Sequence, residues 1–264
     1  MKQFILSKEP DKDGIVRLEG DDYRYLVRVR RLAVGEFFPA LLPDGAQTLV
    51  QVLAIDHGVL TGKCADKTAL DACAVCAPSG LPPIILFQAL PKGEKMDLIV
   101  RQAAEGGITE IVPFTSEFSV AKTSTAGQKF SRWERIVKEA RQQSGSKIAT
   151  ALRRPTGTQC LTINELLEYW DKLKTDGALG LLFHHQKGLA QESLHRYLDI
   201  VPPVVALAVG PEGGFSDREA SLFLEKGLKP FTIGDTILRT ETAALYCAAA
   251  VRILLLERNS WQLK

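Results

Sequence analysis

At 264 residues, 45% of them hydrophobic and 24% charged, the chain is long enough for two domains and too apolar to remain disordered. Its formal net charge of +2 does not by itself mark a nucleic-acid binder, so the placement of charge carries more information than its sum. The five cysteines, an odd number without disulfide-like spacing or a secretory leader ahead of them, predict free thiols and a cytoplasmic location.

Residues 1–70 predict a small β-rich domain. Short apolar runs at Phe4–Leu6, Ile15–Leu18, Phe37–Leu42, Leu49–Ile55 and Val59–Lys63 are separated by turn formers, notably Pro43-Asp44-Gly45 and Asp56-His57-Gly58. Between the second and third runs, Asp21–Leu32 predicts a helix carrying Arg24, Arg28, Arg30 and Arg31. Residues 71–83, rich in Ala, Pro, Ser and Gly, predict an interdomain linker. Cys73 and Cys76 within it have metal-ligand spacing, but no second pair completes a zinc site, and no metal is expected.

From Ile84 the pattern changes to alternating strands and helices. Ile84–Leu90 predicts a strand ending in Pro91-Lys92-Gly93, and Glu94–Gly106 places Met96, Ile99, Val100, Ala103 and Ala104 at helical spacing. A strand at Ile108–Phe114 and a basic helix at Phe130–Ser144 follow. Lys129, Arg132, Arg135, Lys138, Arg141, Lys147, Arg153 and Arg154 fall in one central stretch. Thr162 and Glu165 form a capping box that opens a helix through Leu173, and Ser216 and Glu219 form a second. Gly180–Phe183, Val204–Val209 and Pro230–Ile233 are further strands. Repeated strand–helix units predict an α/β fold with a mostly parallel sheet covered on both faces. The most apolar stretch, Ala243–Leu256, is too short for a membrane span, is interrupted by Arg252, and predicts a buried helix.

Two loops carry the chemistry. Gly210-Pro211-Glu212-Gly213-Gly214-Phe215-Ser216 and the run from Ile233 to Ala243 each follow a strand and open a helix. Loops at the carboxyl ends of neighbouring strands are where open α/β sheets bind ligands, so the two predict one shared pocket. Glycines at 210, 213 and 214 let the backbone approach a ligand closely. Neither a P-loop lysine nor a dinucleotide fingerprint accompanies them. Glu212 in such a turn requires a partner, from a helix cap or an arginine. Arg239 stands at the wrong end of a helix dipole for a cation, which suits an anionic ligand or a buried carboxylate, whereas Thr240 and Glu241 read as capping residues. His184-His185 follows a strand and lacks a third metal ligand; His57 and His195 read as surface residues, and Trp133 and Trp170 as helix packing. Each basic cluster alone suits a solvated face, and the two together, flanking these loops, suit a polyanionic partner.

The two loops, together with Ala89-Leu90-Pro91-Lys92-Gly93-Glu94-Lys95-Met96, resemble the RsmE family, SPOUT-class methyltransferases acting on N3 of a uridine in 16S rRNA of the small ribosomal subunit. The resemblance extends over nearly the whole chain through Leu32 and Gly35, Arg132-Trp133, Glu139-Ala140 and Gln143-Ser144-Gly145. It implies a PUA-like β-barrel at 1–70, a SPOUT methyltransferase domain at 84–264 with a trefoil knot at about 177–257, and a homodimer. It also implies that S-adenosylmethionine is held by Phe183 and His184, by Gly210, Pro211, Gly213 and Gly214, and by Ile233, Gly234, Ile237, Leu238 and Thr240. With a uridine as substrate, Arg239 is the candidate cation that favours the imide anion, and Glu212 is a second catalytic candidate. Arg28, Arg31, Lys92, Lys95 and Arg132 are the candidate RNA contacts. The chain departs from its relatives at Gln102, Phe118 and Ser146, where basic residues are common. Two alternatives therefore stay open: a non-catalytic rRNA-binding assembly factor, and a methyltransferase acting on another RNA base.

Overall fold

The structure, a computed structural model, describes residues 4–65, 81–119, 126–154, 160–185 and 190–258. It divides into two compact units, Met1–Ser79 with Arg141–Ala149 and Gly80–Ala140 with Thr150–Lys264. Most of the predicted linker, with Cys73 and Cys76, lies outside the described residues.

The first unit contains β1 (Phe4–Ile5), β2 (Ile15–Leu18), α1 (Gly20–Tyr23), β3 (Phe37–Leu41), β4 (Gln47–Asp56) and β5 (Val59–Cys64). They form one sheet in the order β1-β3-β4-β5-β2, with β1 parallel to β3 and the other pairs antiparallel. Alternation along the strands buries Phe38 and Ala40, Val50 and Val52, and Leu60 around Leu26. The predicted helix at Asp21–Leu32 differs in kind from expectation, because α1 runs into a π-helical stretch at Arg24–Val29. There the Arg30 N–H donates to the Tyr25 carbonyl five residues back, at 2.9 Å. Arg31 then takes a left-handed φ of 58°, and the Leu32 N–H turns back to Leu26 at 3.1 Å, which stops the helix.

The second unit contains β6 (Ile84–Ala89), α2 (Lys95–Glu105), β7 (Glu110–Thr115), α3 (Ala126–Ser144, of which the residues up to Ala140 belong to this unit), β8 (Ala151–Leu152) and β9 (Leu161–Thr162). It continues with α4 (Ile163–Thr175), β10 (Leu179–Phe183), α5 (Leu194–Tyr197), β11 (Val205–Val209), α6 (Asp217–Glu225), β12 (Lys229–Phe231) and α7 (Thr240–Glu257). Every strand pair in its sheet is parallel, in the order β12-β10-β11-β6-β7-β8, with β9 also pairing β7. Every residue of β6 and β11 is buried, as covering on both faces requires. Ile84 and Leu86 face Met96, Ile99, Trp133, Cys247 and Val251. Their neighbours Ile85 and Phe87 face Leu166, Trp170, Ala220 and Phe223 on the other side. Both capping boxes form: the Glu165 carboxylate accepts the Thr162 N–H at 2.7 Å, and that of Glu219 accepts the Ser216 N–H at 3.0 Å. Trp170 is buried and donates its indole N–H to the Lys226 carbonyl at 3.0 Å, a packing role. Gly180 makes room for it, since a Cβ there would stand 2.8 Å from the indole ring.

Two expectations are corrected. The strands feeding the two loops, β11 and β12, are not neighbours. Phe183 at the end of β10 pairs with Val209 on one side and Phe231 on the other, so three adjacent strand ends frame the site. Nor is α7 buried throughout. Ala243, Ala244, Cys247, Val251 and Leu255 pack inward, but Leu245, Tyr246 and Ile253 are 38%, 51% and 51% exposed. The helix is apolar all round while only one face has cover. Among the described residues, no helix is long and apolar enough to cross a membrane.

Candidate functional site

The carboxyl ends of β10, β11 and β12 enclose a cavity of about 370 Å³. Every residue predicted to hold a cofactor lines it: Phe183, His184, Gly210, Pro211, Gly213, Gly214, Ile233, Gly234, Ile237, Leu238 and Thr240. Glu212 lines it as well, and Arg239 does not. An apolar wall with a few backbone and side-chain polar groups is the usual make-up of a small-molecule site.

The glycine loop forms a cradle in which side chains have no room. A Cβ on Gly210 would lie 3.0 to 3.3 Å from backbone atoms of Gly214, and one on Gly213 would lie 3.0 Å from the Phe118 Cβ. Gly214 itself has φ of 72°, a conformation that favours glycine. Behind the loop, the Phe215 ring packs on Phe114 and Phe223, with centroids at 6.3 and 5.1 Å, and is tilted against His184 at 6.4 Å. Burial pushes the His184 pKa below its ordinary value, against the opposing charge of Asp217, and so favours the neutral imidazole. Its buried Nε2 has no hydrogen-bond partner among the described residues. An orphaned nitrogen and a glycine cradle on one cavity fit a bound cofactor with polar groups.

Thr240 does more than the predicted capping. Arg239 is the N-cap of α7, with extended backbone and no side-chain cap bond. The buried Thr240 hydroxyl instead donates to the Gly210 carbonyl at 2.6 Å and accepts from the Gln88 amide at 3.1 Å. One hydroxyl thus joins β6, the glycine loop and α7. Thr240→Val keeps the shape but strands both partners, so unfolding free energy is expected to fall by about 1–3 kcal/mol. Chemical denaturation checks this, and an unchanged midpoint would show that the hydroxyl carries no structural weight.

The partner of Glu212 is neither a helix cap nor an arginine. Its carboxylate lies 2.8 Å from the Lys95 ammonium and accepts the Lys92 N–H at 3.2 and 3.1 Å. Burial opposes ionisation of Glu212, but Lys95 and the Lys92 N–H together outweigh it and hold the carboxyl below its ordinary range. The hydrogen bond to Glu212 in turn holds the Lys95 ammonium above its own. So engaged, Glu212 is a poor proton acceptor and a good clamp between the glycine loop and the loop after β6. Because its folded pKa is depressed, the clamp is intact above the unfolded carboxyl pKa and is lost as pH falls through the lower folded value. Glu241, in the first turn of α7 where its charge suits the dipole, stands 3.7 Å from Lys95.

The other candidate RNA contacts are more dispersed. Arg132 pairs with Asp97 and lies 3.6 Å from Glu94, and Trp133 donates to Asp97 at 3.0 Å. Lys92 is exposed near the cavity, whereas Arg28 and Arg31 are exposed on the first unit. Carboxylates partner several residues of the central basic stretch: Arg135 with Glu139 at 3.8 Å, Arg153 with Glu110 at 2.8 Å and Arg154 with Glu134 at 2.7 Å. Sequence reasoning passed over Gln88, whose signal was a polar residue inside the apolar run Ile84–Leu90. Among the described residues, no group of three or more His, Cys, Asp or Glu is placed to hold a metal ion.

Residues 79–252 match a family model described as an RNA methyltransferase domain. A ribosomal RNA small subunit methyltransferase E from Synechocystis is 31% identical over 254 residues, spanning 96% of this chain and 78% of the relative. A second protein of that name, from Mycobacterium bovis, is 27% identical and spans 95% of this chain and 91% of the relative. A solved structure of a ribosomal RNA small subunit methyltransferase E from Neisseria gonorrhoeae, bound to S-adenosyl methionine, shares the fold. Its TM-score is 0.76 at 24% identity, over 96% of this chain and 98% of that one.

Proposed function

The chain belongs to the RNA methyltransferase family, in its ribosomal RNA small subunit methyltransferase E branch, and on that footing we propose that it transfers a methyl group from S-adenosylmethionine to N3 of a uridine in 16S rRNA. The observation that carries the reading is the convergence of three strand-end loops, with the glycine cradle and His184, on one cavity.

When bound, S-adenosylmethionine supplies an electrophilic methyl group on a sulfonium. The chain's task is then to position the partners and manage charge. Gly210, Gly213 and Gly214 give a ligand close access to backbone, and Phe183, Ile233, Ile237 and Leu238 supply apolar walls. A uridine N3 is mostly protonated at neutral pH and becomes a good nucleophile only as the imide anion. Arg239, beside the cavity at the N-terminus of α7, is the cation that favours this anion. Glu212, tied to Lys95 and Lys92, orients the loop and leaves proton acceptance to another group. Lys92, Arg132, Arg28 and Arg31 hold RNA through phosphates, which gives affinity without sequence choice.

The same reading includes the SPOUT knot, a PUA-like first domain and a homodimer. The strand order β12-β10-β11, in which the chain visits the middle strand first, supports the knot. A five-stranded, largely antiparallel sheet supports the PUA-like domain. The uncovered apolar stripe of Leu245, Tyr246 and Ile253 supports a partner subunit on α7. Tyr246→Glu with Ile253→Glu is expected to convert a dimer to monomers, read by light scattering; an unaltered mass would remove α7 from the interface.

The test of the function is mass analysis of nucleosides from 16S rRNA of a deletion strain, before and after incubation with the protein and S-adenosylmethionine. N3-methyluridine should be missing and then restored. A different restored nucleoside would reassign the base. Failure to bind the cofactor, even with rRNA present, would return the assembly-factor reading.

A further inference from the structure

We propose that Phe118 is a stacking platform for a nucleobase of the RNA substrate, set beside the methyl-transfer cavity; the inference rests on the RNA methyltransferase reading above. Phe118 follows β7, on the same carboxyl edge of the parallel sheet as the cavity, and is 47% exposed. Its side chain lies against the glycine loop. A Cβ built on Gly213 would stand 3.0 Å from its Cβ and 3.3 Å from its Cγ. The nearby Phe215 ring is absorbed into the core with Phe114 and Phe223. No ring of the described residues pairs with Phe118.

An exposed aromatic side chain is ordinarily unremarkable, but this one is mounted on a fixed support. Glu219 is 2% exposed, and its two carboxylate oxygens serve different segments. Oε1 accepts the Glu117 N–H at 2.9 Å, while Oε2 accepts the Ser216 N–H at 3.0 Å. A buried carboxylate is tolerable only with such bonds, so these hold firmly. On the other side of Phe118, the Ser119 hydroxyl accepts the Ser116 N–H and bonds the Ser116 hydroxyl, both at 3.2 Å. The residues flanking Phe118 are therefore pinned, one of them to the segment that closes the glycine loop. A ring on a backbone held in this way has less freedom to lose when a ligand binds than one on an unsupported loop. Every base has a π-face, so Phe118 adds affinity and orientation and leaves base identity to other groups.

The test compares Phe118→Leu, which keeps an apolar contact on Gly213 but removes the ring, with Phe118→Trp, which keeps a ring. Cofactor affinity is measured by calorimetry, and the KM for 16S rRNA by methyl transfer. Phe118→Leu is expected to raise the KM for rRNA by roughly 5- to 150-fold, the range of one base stack, with cofactor affinity unchanged. Phe118→Trp should remain near wild type, with its added fluorescence quenched by rRNA. A wild-type KM in Phe118→Leu overturns the proposal. So does an equal loss of cofactor binding in that variant, which would make Phe118 a seat for the glycine loop alone. Wild-type protein that neither binds nor methylates rRNA sinks the underlying enzymatic reading, and the proposal with it.

Discussion

Arg239→Ala is expected to lower the rate of methyl transfer by about 10²- to 10³-fold, the usual cost of removing one preorganised charge-stabilising group. Binding of S-adenosylmethionine should remain near wild type, because the side chain does not line the cavity. The Arg239 side chain has no structural task. It is exposed, it caps nothing with its side chain, and it forms no ion pair among the described residues. It sits at the positive end of the α7 dipole, and its charge opposes that of Lys95, whose own carboxylate partners are Glu212 and Glu241. A cation in that place is electrostatically unfavourable until an anion arrives. Single-turnover methylation beside calorimetry separates the two effects. Unchanged turnover would remove Arg239 from the mechanism, and lost cofactor binding would move it into the binding site.

Valine at Gly210 is expected to weaken S-adenosylmethionine binding by about 10²-fold or more, through overpacking worth about 3 kcal/mol. The atoms that a Cβ would meet, at 3.0 to 3.3 Å, belong to the backbone of Gly214, which cannot swing away as a side chain does. The loop cannot slide either, since Thr240 holds the Gly210 carbonyl at 2.6 Å. Gly213→Val should also weaken binding, but less, because its new methyl groups press on the half-exposed Phe118 side chain. Thermal unfolding establishes that each variant is folded before binding is scored. Wild-type affinity in folded Gly210→Val would refute the cradle.

The parts of this molecule legible in its sequence are those encoded locally. Both capping boxes, the continuously apolar, fully buried β6 and the two glycine-bearing loops follow from spacings of a few residues, and they form where expected. What escaped depends on partners distant in the chain. Nothing near Glu212 announces Lys95 as its counter-ion, and nothing near Thr240 announces Gln88. That β10 comes between β11 and β12 is a property of strand order, to which a hydrophobic pattern is blind. The uncovered face of α7 escaped for a related reason, since a helix apolar all round does not say which of its faces the monomer covers. The π-helical stretch at Arg24–Val29 differs from an α-helix by a shift of one hydrogen-bond partner, below what periodicity resolves.

The Thr240 hydroxyl bonds to residues 152 and 30 positions earlier in the chain. Contacts so far apart in sequence are closed at an entropic cost that local structure does not bear. On a ribosome, β6 and the glycine loop emerge before α7, so the nascent chain carries most of the cavity wall without the tie that sets it. The completed cavity therefore waits on the arrival of α7. A ligand that recognises only this last arrangement stabilises it by mass action, so that the supply of methyl donor becomes a term in the chain's own folding equilibrium.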